Sequence, residues 1–449
     1  MRSPTFALVL AVFLCAWSDE SVAAPPNFLI ILTDDHGYGD LSIYGASDVR
    51  TPNIDRIGKE GMIFTSMRAN ATVCSPSRAA LLTGRYPDRV GVPGVIRTHS
   101  ENSWGYFAPG VPTIADELGK VGYHTAIVGK WHLGLESPNT PLERGFVQFH
   151  GFLGDMMDSY TTHLRHGNNY MRHNGETIEA EGHATDLFTD WSIRYLRERV
   201  AKSDQPFFLY LAYNAPHFPI EPPAEWLEKV MSRHPDMDKK RASNVAFVEH
   251  LDDRIGRVLA ALDEQGLAEN TLVVFCSDNG GSLPHGQSNL PWRDGKQSHY
   301  DGGLRVPFLM RWPAKIAAGS KSEYAGLSFD LVPTFLELAG AKSEAPEQLD
   351  ALSLVPLLAG KAMPVGRDLY FVRREGGKPY GGCSYEAIIR NGWKLMRKDP
   401  YSPLELYHLL NDPHETTNLA TKAPKVFNEL SSALARHIQR GGATPWQRP

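Results

Sequence analysis

The sequence predicts an α/β fold: a large mixed, mostly parallel central sheet flanked by helices, with a smaller C-terminal α+β domain that contains an antiparallel sheet. Three observations carry that expectation. Strand-length apolar runs alternate with helical patterns from residue 27 to residue 276, the order that stacks parallel strands beneath crossover helices. The first run, Asn27-Phe28-Leu29-Ile30-Ile31-Leu32, is continuous rather than alternating, as in a central strand covered on both faces. Beyond residues 331–338 the alternation stops, and short strand-like runs such as Ala387-Ile388-Ile389-Arg390 and Trp393-Lys394-Leu395-Met396 take over.

The elements follow in order. Arg2, the apolar run from Phe6 to Trp17 and the small residues Ser21-Val22-Ala23-Ala24 have the charged, apolar and cleavage regions of a secretory signal over residues 1–24. The run is short for a membrane span, and Leu14 ahead of Cys15 is a poor lipoprotein box, so no stable membrane anchor is expected. The larger domain is expected over residues 25–345. It starts with the strand 27–32, which ends in Thr33-Asp34-Asp35. A helix near 113–121 leads to a strand near 124–128 and then Lys130-Trp131-His132, and a helix near 186–200 leads to a strand over 206–213 and Asn214-Ala215-Pro216-His217. A long helix near 241–265 leads to the strand 271–276 and Ser277-Asp278-Asn279-Gly280. Ligands of such sheets bind outside the carboxyl ends of the strands, so these four polar clusters are expected on one rim. The smaller domain is expected over residues 346–449.

Composition removes some partners. Among 449 residues, 46 Lys and Arg stand against 51 Asp and Glu, a formal charge of −5, so no global positive field favours nucleic acid and any anion site must be local. Without the signal, Cys74, Cys276 and Cys383 remain. At most one disulfide is then possible beside a working Cys74, which suits an exported bacterial enzyme, periplasmic or secreted, better than a lysosomal one. The sequon Asn70-Ala71-Thr72 abuts Cys74 and reads as incidental. His163, His166 and His173 fit no standard zinc spacing and read as a solvated loop or substrate rim.

Asp34, Asp35, Asp278 and Asn279 offer carboxylate and amide oxygens, the donor set of a hard cation, calcium before magnesium. Turns are the competing use of the same residues. Arg78 stands four residues beyond Cys74, on the same face if a helix starts near Pro76, where a guanidinium can stabilise an oxyanion.

The string Val73-Cys74-Ser75-Pro76-Ser77-Arg78, with Thr83-Gly84-Arg85 beyond it, closely resembles the signature of the type I, formylglycine-dependent sulfatases, and Gly129-Lys130-Trp131-His132-Leu133-Gly134 resembles their second signature. The wording from Gln287-Ser288-Asn289 to Gly302-Gly303 is similar to the arylsulfatase A and N-acetylgalactosamine-6-sulfatase group. Glu405-Leu406-Tyr407 through Asn418-Leu419-Ala420 resembles the close of sulfatase C-terminal domains. This resemblance, which runs from about residue 27 to about residue 420, implies an alkaline-phosphatase-like fold and hydrolysis of carbohydrate or aryl sulfate monoesters. It implies one Ca2+, with Mg2+ as the alternative, held by Asp34, Asp35, Asp278, Asn279 and the modified residue 74, and a maturation enzyme that oxidises Cys74 to formylglycine. One hydroxyl of the hydrated aldehyde would attack sulfur, expelling the alcohol and leaving a covalent sulfo-enzyme. His132 would then deprotonate the second hydroxyl so that sulfate departs. Lys130 would hold the sulfate, and His217 and Lys296 would meet the sulfate and the leaving oxygen, either one protonating the alcohol. Two alternatives stay open: a phosphodiester or phosphonate monoester hydrolase of the same superfamily, or a non-catalytic sulfated-glycan-binding protein if Cys74 is unmodified. Trp104, Tyr106 and the segments 155–172 and 285–293 are the expected substrate rim.

Overall fold

The computed structural model describes residues 24–202 and 205–448; the expected signal, apart from Ala24, lies outside them. Among the described residues, twelve strands precede residue 330: β1 (Asn27–Thr33), β2 (Met62–Phe64), β3 (His124–Lys130), β4 (Gln148–Phe152), β5 (Leu164–Arg165), β6 (Asn168–Asn169), β7 (Met171–His173), β8 (Glu176–Thr177), β9 (Phe207–Ala212), β10 (Thr271–Ser277), β11 (Phe308–Arg311) and β12 (Ser320–Ser322). Ten of them form one sheet in the order β12-β2-β11-β10-β1-β9-β3-β4-β7-β8, while β5 and β6 make a separate hairpin. The five central strands, β10-β1-β9-β3-β4, are parallel, and antiparallel pairs enter only toward the two edges. The sheet is thus mixed and mostly parallel.

β1 is buried along its whole length because both faces are covered. Phe28, Ile30 and Leu32 enter one core with residues of the helices Cys74–Thr83, Ile114–Lys120 and Leu331–Leu338. Leu29 and Ile31 enter the other, against Pro52–Lys59, Ala184–Lys202 and Lys239–Glu264. The period-two alternation of a strand divides its side chains between the two cores. Local chemistry sets the helix ends. Thr113 and Asp116 form a capping box for Ile114–Lys120, and Asp238 accepts from the backbone N–H groups of Lys240 and Arg241. The Asp252 carboxylate, lent by the long helix, accepts from the N–H groups of Asn53 and Ile54 at the start of Pro52–Lys59.

A second, four-stranded antiparallel sheet follows in the order β13 (Leu369–Arg374), β14 (Ser384–Arg390), β15 (Trp393–Arg397) and β16 (Leu404–His408). The helix Pro424–Gly441 packs on it through Leu430, Ala433 and Leu434. The two sheets are joined by a buried ionic knot. Asp301 accepts from Arg68 at 2.7 Å, Arg305 at 2.9 Å and Lys394 at 2.8 Å, while Glu415 takes Lys394 at 2.8 Å and the Asp301 N–H at 2.6 Å.

Gly302 and Gly303 lie in a one-turn helix, Asp301–Leu304, and β11 follows. One reading of the sequence is corrected by the structure, that of His163 as solvated. His163 is buried rather than solvated, with Nε2 2.9 Å from the Gly182 carbonyl, whereas His166 and His173 are exposed. Asn70 is buried and its amide donates to the Ser77 carbonyl and the Ser328 hydroxyl, which leaves it unavailable to a glycan. Cys74, Cys276 and Cys383 are all free thiols. Among the described residues, no helix is long and apolar enough to cross a membrane.

Candidate active site

Parallel register assembles the site. Thr33 of β1 lies beside Ser277 of β10, so the next residues, Asp34-Asp35 and Asp278-Asn279, emerge side by side. β9 on the other side of β1 releases Asn214 to His217, and β3 beyond it ends on Lys130. The four polar clusters therefore share the carboxyl rim of four adjacent strands. The Asp34 N–H donates to the Ala215 carbonyl and the Asp278 N–H to the Thr33 carbonyl, at 3.2 and 3.1 Å, which ties neighbouring strand ends together.

Cys74 opens the helix Cys74–Thr83, two residues earlier than Pro76, and is 3% exposed. Its Sγ is 3.2 Å from Asp34 Oδ1 and 3.8 Å from Lys296 Nζ. Burial, and then the Asp34 carboxylate, push the thiol well above the ordinary cysteine range, so this is a poor place for a thiolate nucleophile. Arg78 lies one turn on and is fully buried. Its Nε and Nη2 donate to Asp278 Oδ2 at 3.0 and 2.8 Å, its Nη1 to the Lys130 carbonyl at 3.2 Å, and its Nη2 stands 3.5 Å from Asp34 Oδ2.

The remaining cations face the same carboxylates. Lys130 Nζ donates to Asp34 Oδ2, and Lys296 Nζ is 2.7 Å from Asp35 Oδ2. Burial alone would raise the Asp34 carboxyl, but Lys130, His217, Arg78 and Lys296 together hold it well below the usual range. Asp278 goes the other way, up to about 7, through burial and then repulsion from Asp34. Lys296 is driven up, since Asp35, Cys74 and Asp34 outweigh its burial.

Both histidines are held neutral. His132 sits in left-handed backbone at φ 63°, with Nε2 donating to the Ile96 carbonyl at 2.7 Å and a buried Nδ1 that has no partner among the described residues. Burial, then Lys130 and Arg78, press it well below the normal histidine range. His217 Nδ1 is 2.6 Å from the Phe218 carbonyl and Nε2 is 3.6 Å from Asp35 Oδ2. Burial and Lys296 take it to about 4, against the opposite pull of Asp35.

The donors fit a hard divalent cation. Atoms of Asp34, Asp35, Cys74 and His217 all lie within 4.8 Å of one another, and Asp278 approaches through its bond to the Asp35 N–H at 3.2 Å. Asn279 donates its amide to Asp35 Oδ1 at 2.8 Å and to the Gly280 carbonyl, which leaves its buried Oδ1 without a partner. Oxygen donors of this number suit Ca2+ or Mg2+. A second convergence, His183 with Asp186 and His250, is engaged otherwise. His183 takes the Thr185 N–H on Nδ1 and meets the Glu221 carbonyl on Nε2, and Asp186 holds His250 and Arg254.

Every residue expected at the site, Cys74, Arg78, Lys130, His132, His217, Lys296 and the four oxygen donors, lies on this rim. Ser75 and Ile96 were not foreseen. The Ser75 hydroxyl accepts the Ile96 N–H at 3.0 Å, placing the carbonyl that takes His132 Nε2. A main-chain acceptor has no residue-type signature. Trp104 stacks on Trp446 at 5.4 Å, and Tyr106 lines a cavity of about 440 Å3 with Ile96, Arg97, His99, Asn139 and Trp446.

Comparison with known proteins agrees with this arrangement. A sequence model of the sulfatase family matches residues 26–341, and one of the N-sulphoglucosamine sulphohydrolase C-terminal region matches residues 290–441. The chain is 35% identical to rat N-acetylgalactosamine-6-sulfatase over 460 residues, covering 92% of this chain and 84% of that one. It is 34% identical to human arylsulfatase A over 471 residues, with 92% and 87% covered. Among solved structures, Ps i-CgsB in complex with k-i-k-neocarrahexaose superposes with a TM-score of 0.85 at 31% identity, covering 93% of each chain. PsFucS1 sulfatase from Pseudoalteromonas sp. superposes with a TM-score of 0.77 at 25% identity, covering 94% of this chain and 92% of that one. With the alkaline-phosphatase-like fold, the paired signatures and nearly full-length similarity in hand, the chain belongs to the sulfatase family of sulfuric ester hydrolases.

Proposed function

We propose that the protein is an exported enzyme that hydrolyses sulfate monoesters of carbohydrates, with residue 74 working as formylglycine and Asp34, Asp35, Asp278 and Asn279 holding one Ca2+. The observation that carries this reading is the buried Cys74, whose thiol resists ionisation yet faces three carboxylates and three cations. Hydrated formylglycine there supplies one hydroxyl to attack sulfur and a second whose deprotonation releases sulfate. The cation supplies charge against the sulfate oxygens and lowers the cost of an ionised hydroxyl.

The chain's own groups do the rest. Arg78, fixed by Asp278, keeps positive charge beside residue 74 and adds to the electrostatic stabilisation of the reacting sulfate. Lys130 bonds Asp34 and Lys296 bonds Asp35; with those carboxylates holding a cation, both ammonium groups would be available to sulfate oxygens. His132, neutral and with Nε2 committed to Ile96, presents Nδ1 as the base. Lys296, held as an ammonium, delivers a proton to the leaving oxygen, and His217, whose one proton sits on Nδ1 against the Phe218 carbonyl, takes that role only when protonated on Nε2. The cavity lined by Ile96 and by Leu133, the residue after His132, is the place we assign to the sugar. Membership of the family, and the k-i-k-neocarrahexaose held by Ps i-CgsB, support a carbohydrate ester. We propose residues 25–345 as the catalytic domain and 346–449 as the smaller one.

The test combines two measurements on protein purified from its maturing host. Mass spectrometry of the tryptic peptide 69–78 is expected to show residue 74 as an aldehyde, and sulfate release from sulfated oligosaccharides is expected to exceed hydrolysis of an aryl phosphodiester. Unmodified thiol in fully active protein, or a preference for the phosphodiester, refutes the proposal.

A further inference from the structure

Lys296 lies in a segment without helix or strand, between Asp294 and Gln297, both in left-handed backbone at φ 64° and 79°. A lysine side chain has four rotatable bonds, so the place of its ammonium depends first on where the backbone is held. On one side the catalytic domain holds it: the Lys296 N–H donates to the Gly281 carbonyl and the Gln297 N–H to the Thr72 carbonyl, both at 2.9 Å. Thr72 is two residues from Cys74, and Gly281 is two from Asn279.

The other side is held by the C-terminal sheet. Arg373 on β13 and Tyr385 on β14 are directly paired in the antiparallel register, and each is 1% exposed. Arg373 Nη1 donates to the Gln297 carbonyl at 2.7 Å, and the Tyr385 hydroxyl donates to the same oxygen at 3.0 Å. Arg373 Nη1 also meets the Tyr385 hydroxyl at 2.7 Å, and its Nη2 is fixed by Glu375 at 2.6 Å. Two buried donors, one of them charged, thus converge on the carbonyl of the residue after Lys296. A strained left-handed residue persists only where its surroundings over-determine it, and this pair supplies the constraint that the catalytic domain does not.

We propose that Arg373 and Tyr385 are positioning residues for Lys296, so that the smaller domain completes the active site by fixing the lysine that meets the sulfate. This deepens the proposed function and rests on its role for Lys296. Neither residue touches substrate; both act through the Gln297 carbonyl.

A double-mutant cycle on the full-length, matured enzyme tests the inference. Tyr385→Phe removes one hydroxyl and keeps the ring, and is expected to lower kcat on a sulfated oligosaccharide about tenfold with KM within about twofold, while the thermal midpoint stays close to that of the parent. Arg373→Lys, which keeps charge but loses the fork, is expected to act in the same direction. In a Lys296→Ala background, Tyr385→Phe is expected to have almost no further effect, because its route to the chemistry has been removed. An equal loss from Tyr385→Phe in both backgrounds, or no loss in either, overturns the inference. Full turnover in Lys296→Ala alone overturns instead the lysine's assigned role, and is seen before Tyr385 is altered.

Discussion

His132 shows how much of the chemistry depends on single atoms. Its Nε2 is bound to the Ile96 carbonyl and its Nδ1 is buried without a partner, so one tautomer is selected and one lone pair is left for proton transfer. Replacing His132 by Gln is expected to lower kcat by about 10²–10⁴-fold, the usual worth of a positioned base. Ser75→Ala, which loosens Ile96 without removing the ring, is expected to cost far less; steady-state kinetics of the two variants check this order. Asn279 provides the parallel case for the cation, because its Oδ1 is a buried acceptor with nothing to accept. Asn279→Ala is expected to weaken Ca2+ binding by about 10–100-fold. Calorimetric titration measures this, and an unchanged affinity removes Asn279 from the ligand set. The sequence could nominate these groups, because their residue types suit cation and sulfate chemistry. Arg78's pairing was only half legible: the sequence put it on the face of Cys74, and the structure binds it chiefly to Asp278.

At the scale of elements, the rim works because neighbouring backbones approach closely. A Cβ on Gly280 would lie 1.9 Å from the Gly302 carbonyl oxygen, and the Gly280 N–H donates to the Gly303 carbonyl. Gly280 is therefore a steric requirement of the Asp278-Asn279 loop. Gly280→Ala is expected to destabilise the protein by about 1–3 kcal/mol and to weaken Ca2+ binding as well. Gly119, inside the helix Ile114–Lys120, has open space around its missing Cβ, so Gly119→Ala is expected to stabilise by about 0.5–1 kcal/mol. Thermal unfolding of the two variants, with and without Ca2+, separates these outcomes. The principal strands were legible as continuous apolar runs of strand length, and the long helices by their apolar pattern and length. The short edge strands β2, β7, β8 and β12 carry too few residues to show a period, and their pairing is decided by the neighbour they meet.

Across the whole molecule, burial sets a pH dependence of stability. Asp88 and Asp252 are each raised to about 7, mainly by burial, although Tyr370 bonds the first at 2.9 Å and the Asn53 and Ile54 N–H groups bond the second. An unfolded aspartate titrates near 4, so between about 4 and 7 these two carboxyls hold protons in the folded chain that the unfolded chain has released, and their contribution to stability falls as pH rises through that window. Asp88→Asn is expected to raise stability at pH 8 by on the order of 2 kcal/mol and to change little at pH 4; denaturant melts at the two pH values test this. The Asp301 knot binds the sheets together, and Lys394→Met, which leaves two buried carboxylates short of a cation, is expected to cost about 3–5 kcal/mol, read from the same melts. By itself the sequence determined the α/β class and the sulfatase family, and it nominated the oxygen-rich cation set and the cysteine proposed for modification, because residue type and short-range pattern carry that information. Only the tertiary structure decided which carboxylate each cation meets, which nitrogen of His132 is free, and that β13 and β14 reach back to the Gln297 carbonyl. Those contacts join residues far apart in the chain through backbone atoms, and a backbone carbonyl is the same in every residue type.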